Sequence, residues 1–303
     1  MNLIFSLILF LSKVFRKLSK ILQEIVVKFA NNSFFESEIV KSTSYNMVLS
    51  ENESYYADQY WKTIKIYLKS MPANSKIIDL GCSQGRLTIK LAKYFPKGKL
   101  IGCDISKKAI NYANDYMKQK KVNNIDYRNQ TIKKCIVSSE NSSVDIFVMT
   151  EVAFFYPEWR NDINLIIDKL KPGGLLIMSF RSLYYYAMYL VKNSLYDQLD
   201  TIINKRDGYI LNTASNFSWN TSHEIKKLFT KKYNCEILQI IGIGSCSGIP
   251  GDPNENIAQP SKLFNNELKI LDNIETFLGN DMPDTGRYML AIAKKKITTN
   301  FNI

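Results

Sequence analysis

Histidine is almost missing from this 303-residue chain: His223 is the only one. Five cysteines (Cys82, Cys103, Cys135, Cys235 and Cys246) are dispersed, and no two form a CxxC pair. Zinc sites draw on clustered Cys and His, so no metal site is expected. An odd, scattered set of thiols also fits a reducing cytosol better than a disulfide framework. Long apolar runs are absent too. Leu3 to Leu11 is apolar apart from Ser6, which falls well short of the roughly 20 residues that span a bilayer. No basic residue precedes that run and no small-residue cleavage site follows it closely, so a secretory leader is not expected.

What the chain has in excess is positive charge. Forty Lys and Arg against 28 Asp and Glu give a net +12, a balance that favours anionic partners or reflects compositional drift. Part of it follows a pattern at the N-terminus. Leu7, Leu11, Val14, Phe15, Leu18, Ile21, Leu22, Ile25, Val26 and Phe29 recur at helical spacing, with Lys13, Arg16, Lys17, Lys20 and Lys28 mainly opposite. Residues 1–30 therefore read as a basic amphipathic helix. It could lie on an anionic membrane surface, or pack on the domain or in a dimer seam. The all-round apolar tip (Phe5, Leu9, Phe10) favours the membrane surface, which would place the chain in the cytoplasm or on the inner membrane face.

Residues 31–75 read as a polar connector followed by a helix over Ser54–Ser70 that carries Tyr55, Tyr56, Tyr60 and Trp61. From Lys76 onward, short β-rich runs alternate with amphipathic helices, as in a parallel sheet covered on both faces. The expected strands are Lys76–Leu80, Lys99–Cys103, Ile125–Arg128, Val144–Met149, Leu175–Phe180, Cys235–Ile243 and Tyr288–Ala293. The fold class is α/β: a Rossmann-like, doubly wound, mostly parallel seven-stranded sheet. An N-terminal amphipathic helix precedes it, and insertions fall at 181–218 and 244–286. Ser106 is an expected N-cap, as is Thr221 or Ser222, and Pro157 suits an early helical position.

Two elements suggest chemistry. Strand one runs into Asp79-Leu80-Gly81-Cys82-Ser83-Gln84-Gly85, where glycines permit a tight turn and close ligand approach at a helix start, a setting that holds anions. Asp104 ends strand two, 25 residues after Asp79. A carboxylate there can accept both hydroxyls of a ribose, or simply cap a helix.

These stretches, with Ile101-Gly102-Cys103-Asp104-Ile105-Ser106, Val144 to Val152, and Leu170-Lys171-Pro172-Gly173-Gly174, resemble the class I S-adenosylmethionine-dependent methyltransferase superfamily, in its small-molecule branch. The resemblance covers roughly residues 75 to 180 and implies S-adenosylmethionine as cofactor. It puts Asp79, Gly81 and Gly85 along the methionine moiety, Cys82 among the cofactor-binding residues, Asp104 on the ribose and Ile105 on the adenine. It puts Asn129 or Gln130 near the adenine amino group, and Thr150 and Glu151 on the methyl-donor side. Ser83 stands where glycine is commonest, and Phe155 where a related pattern has His. Candidate bases are then Glu151 and His223, each with a structural alternative: a cofactor or packing contact for Glu151, a helix first turn for His223. The loop Gly244 to Asp252 is a candidate substrate loop or a surface turn.

The expected reaction is methyl transfer to a small molecule, such as a sugar or a lipid-linked envelope intermediate. The basic charge offers RNA methylation as an alternative. Against it, Met149-Thr150-Glu151-Val152 replaces the Asn/Asp-Pro-Pro-Tyr/Phe run of amino-directed nucleic-acid enzymes. A non-catalytic, membrane-attached cofactor-binding protein is the third reading.

Overall fold

The computed structural model describes residues 2–29, 51–156, 159–209 and 216–297. The connector expected over 31–52 therefore falls almost wholly outside the described residues, as do Pro157 and part of the 181–218 insertion. Helix α1 (Asn2–Phe29) is followed, after the connector, by α2 (Glu51–Leu68). The core then alternates: β1 (Lys76–Leu80), α3 (Arg86–Tyr94), β2 (Lys99–Asp104), α4 (Lys107–Gln119), β3 (Ile125–Asn129), α5 (Ile132–Val137), β4 (Val144–Met149), α6 (Trp159–Lys169) and β5 (Leu170–Ser182). After β5 come α7 (Leu183–Lys192), the hairpin of β6 (Asp207–Tyr209) and β7 (Asn216–Asn220), α8 (Ser222–Lys231), β8 (Cys235–Ile243), α9 (Asn265–Asp281) and β9 (Tyr288–Lys295).

Strands β3, β2, β1, β4 and β5 pair in that order, all parallel. β9 then pairs antiparallel with β5, and β8 antiparallel with β9. These are the seven strands the sequence led one to expect. The described residues add two more, β6 and β7, inside the segment read as an insertion. β7 pairs in parallel with Arg181 and Ser182, the last two residues of β5. Arg181 already pairs with Tyr288 on the β9 edge, so β7 takes the other edge, past the point where β4 leaves at Met178. β5 also begins earlier than expected. The Lys171-Pro172-Gly173-Gly174 run is drawn into the strand, with Gly173 at φ 78° and a register shift between Val144 and Ile146.

Alternation along the strands sorts the core into two faces. Ile77, Ile146, Val148 and Ile177 meet Tyr56, Tyr60, Ile64 and Leu68 of α2 and Tyr185 and Leu190 of α7. Ile78, Phe147, Met149 and Phe180 meet Trp159 and Ile163 of α6 and Ile225 and Phe229 of α8. Every residue of β4 is buried, as expected of a central parallel strand. Its Asp145 is satisfied at the amino edge by Lys76 N–H and Lys171 Nζ, each at 2.8 Å, and is structural.

Local caps fix the helix starts. Ser106 Oγ accepts Ala109 N–H at 3.2 Å, and Thr221 with Glu224 forms a capping box on α8. α1 keeps Ile4, Leu7, Phe10 and Phe15 exposed. Among the described residues no helix is long and apolar enough to cross a membrane.

Candidate active site

The turn after β1 is a backbone construction. Gly81 and Gly85 have φ of 73° and 78°, and Ser83 between them has φ 47°. A Cβ on Gly81 would collide with the Val152 side chain, and one on Gly85 with the Tyr127 hydroxyl. The cradle therefore needs glycine for conformation and for space. Gly81 and Cys82 N–H both donate to Cys103 O (2.8 and 2.9 Å), and Gly85 N–H donates to Cys82 O (2.9 Å). Cys82 is buried, with its sulfur 3.0 Å from where a Cβ on Gly102 would stand.

Asp104 closes this turn onto β2. Its Oδ2 accepts Ser83 N–H at 2.9 Å and its Oδ1 accepts Ser106 N–H at 2.8 Å. Each carboxylate oxygen keeps a second lone pair, the requirement for holding a ribose diol. Burial pushes the Asp104 carboxyl up from its ordinary range, while the backbone N–H groups of Ser106 and Ser83 pull it back. Asp79 is 4% exposed and accepts the Thr88 hydroxyl at 2.6 Å. Burial first, and the neighbouring Asp104 after it, raise Asp79 to about 6 against the Thr88 hydrogen bond. A buried carboxyl whose ionisation is made costlier by burial and by the half-buried Asp104 beside it suits a cationic ligand, and S-adenosylmethionine brings a sulfonium and an ammonium. The residues present fit that cofactor on both counts, the glycine cradle and the acid pair.

The other expected cofactor positions gather at the same carboxyl edge. Asn129 Nδ2 donates to Asp104 O (3.0 Å) and Ile105 O (2.8 Å), so its amide nitrogen braces the loop that carries Ile105. Gln130 N–H donates to Asp104 O at 3.0 Å. Thr150 is half-buried where β4 ends. Glu151 follows at φ 60°, its N–H fixed on Ser179 Oγ at 2.6 Å.

Arg86, the first residue of α3, then ties three elements together. Its Nη2 meets Glu151 Oε1 at 3.0 Å, and its Nη1 meets Glu53 O at 2.7 Å and Glu53 Oε2 at 3.3 Å. Glu53 opens α2, so α2 is latched over the β1 and β4 exits. Burial, then the nearby Glu151, raises the Glu53 carboxyl. As it stands, Glu151 serves as an anchor for this latch. His223 is exposed on the first turn of α8, a helix that buries Ile225 and Phe229 against the sheet face opposite α2. The structure does not bring it together with the other candidates.

The first part of the loop at 244–252, Gly244 to Gly248, is buried apart from half-buried Cys246, and it is held by Glu275 of α9, itself 1% exposed. Glu275 Oε1 accepts Cys246 and Ser247 N–H, both at 2.7 Å. Its Oε2 accepts the Tyr55 hydroxyl at 2.8 Å and Gln59 Nε2 at 2.6 Å. Gln59 Oε1 in turn accepts Gly244 N–H at 3.1 Å. Gly244 to Gly248 is thus fastened to α2, while Pro250 and Gly251 are exposed, so the segment combines a buried wall with a surface turn.

Sequence reasoning missed Arg86, Arg181, Glu275 and Arg287. The one signal for the two later arginines was a cation abutting an apolar strand, in Ser179-Phe180-Arg181 and in Arg287-Tyr288-Met289.

The chain is similar to known proteins. A family model described as a methyltransferase domain matches residues 72–241, more than half of the chain, and the chain belongs to that family, within the class I S-adenosylmethionine-dependent methyltransferase superfamily. A curated relative, the ubiquinone/menaquinone biosynthesis C-methyltransferase of Wigglesworthia glossinidia brevipalpis, is 30% identical over 166 residues, which is 51% of this chain and 62% of the relative. The carboxy-S-adenosyl-L-methionine synthase of Campylobacter hominis is 27% identical over 154 residues, 50% of this chain and 63% of the relative. The match thus spans less than two thirds of the length of these relatives. A methyltransferase structure from Methanosarcina mazei superposes with a TM-score of 0.53 at 17% identity, over 77% of this chain and 97% of that one, a likeness of fold.

Proposed function

We propose that this chain transfers a methyl group from S-adenosylmethionine to a small-molecule acceptor. The observation that carries the reading is the convergence of Asp104, bonded through both oxygens to the loop, with the glycine cradle at Gly81–Gly85. A relative named for quinone biosynthesis favours a small acceptor over RNA. The cofactor supplies an electrophilic methyl on sulfur, which a nucleophile takes by in-line displacement. The chain's own part is alignment and exclusion of water. Asp104 holds the ribose of the ligand and Asp79 lies along its methionine moiety. Tyr60 of α2 is buried at 2% exposure and covers the site with its neighbours. Arg86 fixes α2 to the β4 exit. Glu151 is the better placed of the two candidate bases, and a base is needed only for an acceptor that must lose a proton.

Calorimetry with S-adenosylhomocysteine tests this. Wild type should bind it, and Asp104→Ala should bind about 100-fold more weakly, the loss expected for charge-assisted hydrogen bonds worth ~3 kcal/mol. Absence of binding to folded wild type would sink the reading.

The finer part of the proposal is a sugar or lipid-linked acceptor presented at an anionic membrane surface. The exposed Leu7, Phe10 and Phe15 of α1, with exposed Lys13 and Lys17, support it. Full-length protein should float with vesicles rich in phosphatidylglycerol and lose that partition when Phe10 and Phe15 are changed to Asp. Equal recovery of both proteins in the unbound fraction counts against it.

A further inference from the structure

Arg181 and Arg287 stand beyond the cofactor cradle and are absent from the chemistry above. Arg181 is the penultimate residue of β5 and 9% exposed, and Arg287, just before β9, is 7% exposed. Their guanidinium carbons lie 5.2 and 5.3 Å from the centre of the same ring, that of Tyr288. Two like charges thus share one aromatic face or its two sides. Around Arg181 the other nearest groups are also rings: Phe154 at 4.2 Å, Tyr186 at 4.8 Å and Phe217 at 5.3 Å. Among the described residues Arg181 makes no ion pair, and its buried Nε has no hydrogen-bond partner. Arg287 has one carboxylate, Asp252 Oδ2, 3.2 Å from its Nε, while its buried Nη1 has no acceptor.

Arginine does not escape this by losing its proton. An unpaired buried charge costs more than a desolvated ring face returns. Asp252 and then Glu151 act on Arg181 only through space, as Glu53 does on Arg287; Arg86 occupies both glutamates. The position is informative. Ser179, which fixes Glu151 N–H, lies two residues before Arg181 on the same strand face, about 7 Å away along β5. Arg181 is therefore one step outward from the β4 exit, the side where the resemblance puts the methyl donor.

We infer that Arg181, with Arg287 across Tyr288, binds an oxyanion on the methyl acceptor: a carboxylate or a phosphate on a molecule whose apolar part meets the rings of Phe154 and Phe217. The inference rests on the methyl-transfer reading. The anion supplies the counter-charge that Arg181 lacks and acceptor atoms for the unpartnered nitrogens of both guanidinium groups, and the rings exclude water from the pair.

The test titrates benzoate, phenyl phosphate and neutral benzyl alcohol into the full-length protein in low-chloride buffer, with and without saturating S-adenosylhomocysteine. At least one anion should bind tenfold or more tighter than benzyl alcohol, and the tighter of the two anions identifies carboxylate or phosphate. Arg181→Met should remove that tenfold preference while S-adenosylhomocysteine affinity stays unchanged. Equal affinity for anions and alcohol in wild type overturns the inference, as does an anion preference that survives in Arg181→Met. If Arg181→Met does not fold, the wild-type comparison and the same titration of Arg287→Met decide. Failure to bind S-adenosylhomocysteine would fell the methyl-transfer reading separately, because the anion arm without cofactor still reports on the arginines.

Discussion

The two halves of the site are built by different means. The cofactor half is local backbone. Ser83 and Asp104 are 21 residues apart and Thr88 and Asp79 only nine, and the decisive features are φ angles and the space that glycine leaves. The other half, where the acceptor is proposed to bind, is made of distant side chains. Tyr55 and Glu275 are 220 residues apart, and Gln59 and Gly244 are 185 apart. The first half is specified by short contiguous runs; the second exists only once the sheet has closed. A turn that demands glycine constrains few neighbours, whereas a buried charge constrains every group that must satisfy it.

The sharpest way to break this comparison is to remove the charge that organises the second half. Glu275→Ala leaves the Tyr55 hydroxyl, Gln59 Nε2 and the Cys246 and Ser247 N–H groups without their acceptor. Each buried orphan costs about 1–3 kcal/mol, and water entering the gap recovers part of this. The expected loss is ~4 kcal/mol of folding stability by urea denaturation. α2 should become the first segment to exchange its amide hydrogens, with β1 and β2 still protected. A loss under ~1 kcal/mol would mean that the loop at 244–252 and α2 are held by apolar contact alone.

In the cofactor half the comparable charge is Asp79, and its effect is read through pH. Folding raises its pKa from 3.8 to about 6. The folded protein therefore binds this proton more tightly than the unfolded chain. The stabilisation is complete below pH 4 and is lost as pH rises through 6. Two units correspond to on the order of 3 kcal/mol. Urea titrations between pH 4 and 7 should show wild type losing that much relative to Asp79→Asn, which cannot titrate. Parallel profiles for the two proteins would show that Asp79 is not buried from water. A cationic ligand should reverse the slope, because an ammonium beside Asp79 favours the carboxylate; S-adenosylhomocysteine should then bind more tightly at pH 7 than at pH 5.

How much was legible follows from the same contrast. β8 was readable from its start at Cys235 to its end at Ile243, and Ser106 was readable as a cap, because a β-rich apolar run and capping chemistry are local. Gly81, Gly85 and Asp104 were readable for the same reason. The strands β6 and β7 were not: β6 has three residues and β7 five, and β7 buries Phe217 and Trp219 against Arg181 and Tyr186 inside a segment read as an insertion. Phe155 looked like a lost histidine in the sequence. In the fold it is one ring near the Arg181 guanidinium, 5.8 Å away. Glu275 lies on an amphipathic helix, where a lone acid reads as a solvated face until the helix is seen to turn it inward.

The smallest expected effect probes the local half at its one irregular point. Ser83 sits at φ 47°, a left-handed conformation that costs a residue with a Cβ roughly 1 kcal/mol. Ser83→Gly relieves that cost but adds freedom to the unfolded chain, which offsets part of the gain. The net should be about 0.5 kcal/mol of added stability, with Ser83 N–H still free to meet Asp104 because the backbone path is unchanged. S-adenosylhomocysteine affinity should therefore hold within about twofold. If the glycine variant instead binds it tenfold more weakly, the serine side chain itself contributes to the cradle, and the cofactor half is less purely a backbone construction than its φ angles imply.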